Sequence, residues 1–166
     1  MLLHPDVKLD RITEITVNLL NQNEIKAMLL DVDNTMSTHH GTELVEGLTE
    51  WIENMQKNGI KLTVLSNSLN HRIEPFAKRI GLPFISSGMK PLPFGFLRGV
   101  KRMGVKRKNT AIVGDQIFTD ILGGSIVGVK TILLTPIKPE KAMRFRFKRW
   151  LEKKVIKLYK IYKTKV

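Results

Sequence analysis

Two aspartates separated by one residue end an apolar stretch of the chain, in the sequence LLDVDNTMST (29–38). A buried run rarely ends in two carboxylates, because each charge is costly to remove from water unless a partner compensates it. Carboxylates in such a position can act as acid and base, attack a substrate, or bind a hard cation. Asp31 and Asp33 are therefore the first candidates for chemistry.

Three further clusters of polar residues lie where predicted strands end or where a loop enters a predicted helix. They are Ser66 with Asn67, Lys90, and Asp115 with Asp120. Ligands of open parallel sheets bind beyond the carboxyl ends of the strands. We therefore expect these clusters to meet Asp31 and Asp33 at one place in the fold.

The predicted convergence of carboxylates has a direct chemical consequence. Three carboxylates at one place repel each other and raise one another's pKa. A hard divalent cation relieves the repulsion, and Mg²⁺ suits carboxylate, carbonyl and water ligands. With the cation and Lys90, the site would attract a dianionic phosphate. One aspartate could attack phosphorus, and a second carboxylate two residues on could protonate the leaving alcohol and then activate water.

Apolar periodicity predicts the elements that must position these residues. The strands are predicted at 25–32, 60–66, 83–86, 110–114 and 130–134, and the helices at 44–55, 73–80, 94–103 and 117–123. Alternating strands and helices predict an α/β fold, with a parallel sheet covered by helices on both faces and joined by right-handed crossovers. Trp51 is predicted to lie in the core, and Gly123 and Gly124 to permit close packing.

Composition and charge divide the chain into two parts. The 166 residues suit one domain, residues 1–137, followed by a tail, residues 138–166. Of the net charge of +13, the tail carries +10, with twelve Lys or Arg against Glu140 and Glu152, which leaves +3 for the domain. No apolar run is long enough to span a bilayer, the amino terminus turns polar too early for a secretory signal, and cysteine is absent. These features favour a cytoplasmic protein.

The tail is predicted to form a basic amphipathic helix. Its apolar residues recur at helical spacing and are Met143, Phe147, Trp150, Leu151, Val155, Leu158 and Tyr162. Three interpretations remain open: the helix packs on its own domain, it contacts an anionic membrane surface, or it binds RNA or the ribosome.

Four short motifs occur in the order and spacing of the haloacid dehalogenase (HAD) phosphatase superfamily, which the sequence resembles. They are DVDNT (31–35), LTVLSN (62–67), KP (90–91) and GDQIFTD (114–120). The spacer PLPFGF, the stretch DILGG and the lead-in to the first motif resemble the YqeG-type subfamily of class IIIA, which is related to phosphatidylglycerophosphate phosphatases. The resemblance spans residues 5–137 and implies a three-layer Rossmann-like core.

The resemblance also implies a role for each aspartate of the first and last motifs. Asp31 would be the nucleophile and a Mg²⁺ ligand. Asp33 would be the acid and base, with its backbone carbonyl on Mg²⁺. Asp115 would be the third protein ligand to Mg²⁺.

The remaining motif residues would bind phosphate or support the site. Ser66 would bind the transferring phosphate with Asn67 in support, and Lys90 would balance the charge on nucleophile and phosphate. Thr35 would buttress the first loop beside the substrate. Asp120 would orient Lys90 or support the metal ligands from behind. His39 and His40, which follow the first motif, could touch the substrate.

The spacing of the motifs leaves no room for a cap domain. Asp31 and Ser66 lie 35 positions apart, and Ser66 and Lys90 lie 24 apart. A capless, open site suits a phosphate on a lipid headgroup, so phosphatidylglycerophosphate is the favoured substrate. The alternatives are a soluble sugar- or nucleotide-phosphate phosphatase, a phosphoacceptor receiver domain, and an RNA- or ribosome-associated protein that uses the basic tail.

Overall fold

The computed structural model describes residues 2–38 and 43–138, in which six strands form one fully parallel sheet. The strands are β1 (Val7–Leu9), β2 (Ala27–Leu30), β3 (Lys61–Leu65), β4 (Phe84–Ile85), β5 (Thr110–Gly114) and β6 (Lys130–Leu134). Their order across the sheet is β1-β6-β5-β2-β3-β4. The predicted α/β class and parallel sheet are confirmed. The basic tail beyond Lys138, for which a helix was predicted, and the His39–His40 loop lie outside the described residues.

Within the described residues, five α-helices connect the strands. They are α1 (Val17–Gln22), α2 (Leu48–Lys57), α3 (Asn70–Arg79), α4 (Pro93–Met103) and α5 (Leu122–Val127), with short 3-10 turns at Ile12–Glu14 and Arg107–Asn109 and a π turn at Ile117–Ile121. Residues 43–90 hold only α2, β3, α3, β4 and their connecting loops, so no cap domain is inserted in this described segment.

Strand β2 shows how the core divides between the two faces of the sheet. Met28 and Leu30 pack in the cluster that contains α2 and α3, whereas Ala27 and Leu29 pack in the cluster that contains α4 and α5. Successive side chains of a strand point to opposite faces, so a strand covered on both sides is apolar throughout. Trp51 is buried in the first cluster, where its indole N–H donates to the carbonyl of Ile15 at 2.8 Å.

The sequence marks both the start and the end of helix α4. Pro93 is its first residue, a position at which a missing N–H costs nothing. Gly104 follows its last residue with a φ of 64°, the left-handed conformation that a glycine adopts without a steric penalty. The signal at Pro93 places the start of α4 three residues after Lys90 and so ends the loop that carries this lysine.

The structure differs from the predicted elements at the amino terminus and at α2. Strand β1 was not predicted, because three residues carry too little periodicity, and it is held by parallel pairing of Val7 with Ile132 at the far end of the chain. Helix α2 begins at Leu48, later than the predicted start at 44. Leu44 and Val45 supply apolar contacts from a loop, in which the Val45 N–H donates to the Met36 carbonyl.

Gly123 lets helix α5 pack against helix α4. A methyl group at this position would lie 2.5 Å from the Phe96 ring and 3.0 Å from the Pro91 carbonyl oxygen. We expect Gly123→Ala to lower the free energy of unfolding by about 1–3 kcal/mol, because the packed core cannot admit the extra atom without shifting. Urea denaturation measures the change, with the half-buried Ser125→Ala of the same helix as the control. Equal unfolding midpoints for the two variants would contradict this packing argument.

Within residues 2–38 and 43–138, no helix combines the length and the apolar character needed to cross a bilayer.

Candidate active site

Asp31 and Asp115 follow two strands that are neighbours in the sheet. Strands β2 and β5 pair in parallel, with Leu30 opposite Val113. The Asp31 N–H donates to the Val113 carbonyl at 2.9 Å, which continues the ladder by one residue. The two aspartates therefore leave the same edge of the sheet side by side, as parallel pairing requires.

A third carboxylate joins them from the π turn. Oxygen atoms of Asp31, Asp115 and Asp120 all lie within 4.8 Å of one another, and all three residues are buried. Gly114 leaves room for this arrangement, because a methyl group there would overlap the Asp120 carboxylate. The Gln116 N–H donates to Asp120 Oδ2 at 3.1 Å and holds the carboxylate in place.

Lys90 brings a buried positive charge into this carboxylate cluster. Its Nζ lies 2.8 Å from Asp31 Oδ1 and 2.6 Å from Asp120 Oδ1. Burial by itself lowers the pKa of Lys90, but Asp120 and Asp31 raise it further than burial lowers it, so its net pKa lies above the ordinary value. Lys90 is therefore charged, and Asp120 orients it through a direct ion pair.

One buried lysine does not balance three buried carboxylates. Burial raises the pKa of Asp31, Lys90 lowers it and Asp120 raises it again, so that the net pKa is about 6. The cluster consists of hard oxygen donors with an excess of negative charge, which is the donor set that Mg²⁺ prefers. These residues therefore fit the predicted cation.

The Lys90 loop is held by the amide of Asn67. Asn67 Oδ1 accepts from the Lys90 N–H at 2.6 Å, and Asn67 Nδ2 donates to the Lys90 carbonyl at 3.0 Å. Both ends of the amide thus contact the lysine backbone. The structure places Asn67 as a clamp on Lys90, while its contact with substrate stays a prediction.

Ser66 and Thr35 are both buried beside the motif loops. Ser66 Oγ accepts from the Ser68 N–H at 3.1 Å, which turns the chain after β3. The Thr35 N–H donates to the Val32 carbonyl at 3.3 Å, and its hydroxyl has no hydrogen-bond partner in the structure described for residues 2–38 and 43–138. Their roles toward substrate stay predictions.

Asp33 lies apart from the carboxylate cluster, which the sequence did not indicate. Its Oδ1 lies 2.5 Å from a terminal nitrogen of Arg72, whose other terminal nitrogen donates to Ser68 Oγ at 2.6 Å. Asp120, not Asp33, is the third carboxylate within 4.8 Å of Asp31 and Asp115. The predicted ligand role of Asp33 belongs to its backbone carbonyl and stays a prediction. The sequence analysis did not identify Arg72, because it lies in none of the four motifs. The one available signal was its position in the first turn of α3, just after Ser66–Ser68.

Comparison with known proteins identifies the family. Residues 8–128 match the family model for haloacid dehalogenase-like hydrolases. The chain belongs to this family. It is 34% identical over 156 residues to the "Probable phosphatase YqeG" of Bacillus subtilis strain 168, a match that covers 94% of this chain and 91% of that protein. The resemblance read from the motifs is confirmed, and the chain is an HAD-type phosphatase.

Solved structures show the same fold at low sequence identity. The 4-nitrophenylphosphatase of Thermotoga maritima superposes with a TM-score of 0.60 at 12% identity, over 74% of this chain and 89% of that one. NagD of E. coli K-12 superposes with a TM-score of 0.57 at 16% identity, over 69% of this chain and 89% of that one. These two structures share the fold of this chain.

The raised pKa of Asp31 predicts that this HAD site destabilises the metal-free fold. Because the folded pKa of about 6 exceeds the ordinary 3.8, the stability contributed by the protonated carboxyl is present below pH 3.8 and is lost as the pH rises through about 6. The Asn side chain is uncharged at every pH and so mimics the protonated carboxyl. We therefore expect Asp31→Asn to raise the free energy of unfolding above pH 6 by up to about 3 kcal/mol.

Urea denaturation in the presence of a chelator measures this change at a pH below 4 and at a pH above 7. The exposed Asp10→Asn is the matched control. Mg²⁺ should then stabilise the unsubstituted protein more than Asp31→Asn. If Asp31→Asn were less stable than the unsubstituted protein above pH 7, the ionised Asp31 carboxylate would not destabilise the fold, which would contradict this prediction.

Proposed function

We propose that this HAD-type phosphatase depends on Mg²⁺ and hydrolyses phosphomonoesters through an aspartyl-phosphate formed on Asp31. The observation that carries the proposal is the buried cluster of Asp31, Asp115 and Asp120 with Lys90 between two of them. Two of the carboxylates end adjacent strands of a rigid sheet, so their geometry is fixed before a substrate arrives.

The first half-reaction uses Asp31 and Asp33. A carboxylate oxygen of Asp31 forms a bond to phosphorus while the bond from phosphorus to the alcohol oxygen breaks. Asp33 gives its proton to that leaving oxygen. Lys90 and Ser66 would hold the phosphoryl oxygens during transfer. The products are the free alcohol and a phosphorylated Asp31.

The second half-reaction restores the enzyme. Asp33, now ionised, takes a proton from water, whose oxygen attacks phosphorus and releases inorganic phosphate and the Asp31 carboxylate. Arg72 pairs with the Asp33 carboxylate and fixes its position for both proton transfers.

The carboxylates of Asp31 and Asp115 and the backbone carbonyl of Asp33 would hold Mg²⁺. Asp120 would support the site through its ion pair with Lys90. When bound, the cation supplies positive charge against the phosphoryl oxygens and offsets the negative charge of the cluster. The chelator-sensitive activity of the purified protein tests this requirement.

The proposed substrate is phosphatidylglycerophosphate, converted to phosphatidylglycerol. The lack of an inserted cap in residues 43–90 supports it, because an open site can approach a phosphate that remains in a lipid surface. The charge of +10 in the tail supports a peripheral position at the inner face of the membrane in a cytoplasmic protein. RNA or ribosome binding is the rival role for the tail.

We expect the purified protein with Mg²⁺ to hydrolyse phosphatidylglycerophosphate in mixed micelles at least roughly tenfold faster, in kcat/KM, than soluble phosphomonoesters. Released inorganic phosphate measures both, with sugar phosphates and nucleotide monophosphates as the soluble panel and a chelator as the control. A preference for a soluble ester would overturn the lipid assignment and leave the reaction type standing. Activity that persists in the chelator would overturn the Mg²⁺ requirement.

A further inference from the structure

Four large apolar side chains are exposed beside the loops that carry Ser66 and Lys90. Leu69 is 62% exposed, Met89 and Leu92 are each 51% exposed, and Phe94 is 55% exposed. We call these four residues the apolar rim. Neighbouring apolar groups at such exposure usually mark an interaction surface.

Hydrogen bonds hold the two loops of the apolar rim together. The Ser87 N–H donates to the Ser68 carbonyl and the Gly88 N–H to the Ser66 carbonyl, each at 2.8 Å. Leu69, which directly follows this contact, is therefore kept beside the loop that carries Met89 and Leu92 and that leads into α4 with Phe94. The apolar rim is one surface drawn from two segments of the chain.

The apolar rim also borders the active site. Lys90 is buried against Asp31, whereas Met89 before it and Leu92 after it are exposed. The Leu92 N–H donates to the Met89 carbonyl at 2.8 Å, which closes a turn around the lysine. The backbone that directs Lys90 inward thus directs its apolar neighbours outward.

The charge around the apolar rim suits an anionic surface. The segment 69–98, which carries the apolar rim, contains five Lys or Arg against one acidic residue, Glu74. Arg98 is exposed one turn beyond Phe94, and Arg72 is partly exposed three residues beyond Leu69. A second copy of the chain would bring the same positive charge, since each chain carries +13, and would be repelled. Anionic lipid headgroups are attracted instead, at about 1 kcal/mol for each basic residue near the surface.

We propose that the apolar rim inserts into the headgroup region of an anionic lipid bilayer and sets the active site against the bilayer surface. Apolar side chains bury in this region while neighbouring basic residues meet the lipid phosphates. The inference rests on the proposed function in one respect, because the docked orientation is productive only for a phosphate carried by a lipid.

The chain contains no cysteine, so a single introduced thiol can be labelled with an environment-sensitive fluorophore. Phe94→Cys reports on the apolar rim in the full-length protein. Ile126→Cys is the matched control, because Ile126 is 52% exposed but lies near the end of α5 that leads into the amino end of β6, whereas the apolar rim lies at the carboxyl ends of β3 and β4. The labelled proteins are mixed with phosphatidylcholine vesicles that contain or lack phosphatidylglycerol.

We expect a blue shift and an intensity increase for the label at position 94 with the anionic vesicles, and neither change at position 126. The proposal would be overturned if the protein sedimented with the vesicles while the label at position 94 stayed in a polar environment. That result would assign the membrane contact to the basic tail. Blue shifts at both positions would also overturn the proposal. So would a blue shift at position 94 that occurs without lipid and grows with protein concentration, because it would indicate that a second copy of the chain covers the apolar rim.

A triple variant, Leu69→Ser, Met89→Ser and Phe94→Ser, tests the consequence for activity. We expect its partition onto anionic vesicles to fall roughly tenfold or more, with hydrolysis of soluble p-nitrophenyl phosphate unchanged. Unchanged partition would overturn the docking surface. Label insertion at 94 without hydrolysis of phosphatidylglycerophosphate by the unsubstituted protein would instead overturn the proposed substrate, so the two failures are distinguishable.

Discussion

Asp31→Asn is expected to lower kcat by at least roughly 10³-fold, because the amide cannot form the covalent bond to phosphorus that the proposed mechanism requires. The substitution keeps the shape of a side chain that is buried at the end of β2. Released phosphate measures the rate. Acid quenching after a brief exposure to substrate labelled in the phosphoryl group should show label on the unsubstituted protein and none on the variant.

The control for this experiment is Asp10→Asn, an exposed aspartate that accepts from the Thr135 hydroxyl at 2.7 Å, a bond an amide oxygen can keep. Asp115→Asn should abolish turnover as well, through loss of a ligand to Mg²⁺. Because Asp31→Asn is expected to stabilise the metal-free fold above pH 6, unfolding would not explain its inactivity. Substantial Mg²⁺-dependent turnover by Asp31→Asn would place the nucleophile elsewhere.

Lys90→Met is expected to lower the free energy of unfolding by about 3–5 kcal/mol at neutral pH, because it removes the cation that is buried with Asp31 and Asp120. The raised pKa of Lys90 keeps its stabilising charge fully present at neutral pH and below. Urea denaturation of the metal-free proteins measures the loss. Lowering the pH to 5 should reduce it, since Asp31, whose pKa is about 6, then takes up a proton.

Lys101→Met is the matched control, because this lysine is exposed on α4. Added Mg²⁺ should recover part of the stability of Lys90→Met, since a second cation would then face the same carboxylates. An equal loss for Lys90→Met and Lys101→Met would show that the ion pairs of Lys90 do not compensate the buried charge.

Both experiments address one property of this HAD site, which is its excess of buried negative charge. The fold tolerates the excess because two of the carboxylates end central strands that are apolar and paired on both sides. In the proposed function, this excess would attract the cation and, through it, the phosphate. Function here is obtained at the expense of stability in the metal-free state, a common relation at active sites.

Several features of the site were predictable from local sequence. Asp31 and Asp115 each follow an apolar stretch of strand length, and parallel strands bring their carboxyl ends to one edge of the sheet. The Asp31–Lys90 contact followed from the order of the motifs. Strands β5 and β6 were predicted at their observed bounds, because each is a short β-branched run between turn residues.

Other features depend on residues that are distant in the sequence. Strand β1 exists because Asp6 accepts from the Thr131 N–H at 2.8 Å and Val7 pairs with Ile132. The ion pair of Asp33 with Arg72 joins positions 39 residues apart, and no periodicity encodes it. The apolar rim emerges only when the loops after β3 and β4 are placed side by side.

The sequence by itself determined the α/β class, the HAD family and the chemical types that meet at the sheet edge, because strand periodicity and motif spacing are local properties of the chain. The tertiary structure decided which carboxylates share the buried cluster, what holds Lys90 and what Asp33 contacts. These outcomes depend on side-chain directions after the strands end, where the period-two rule no longer applies and packing against distant segments selects the rotamer.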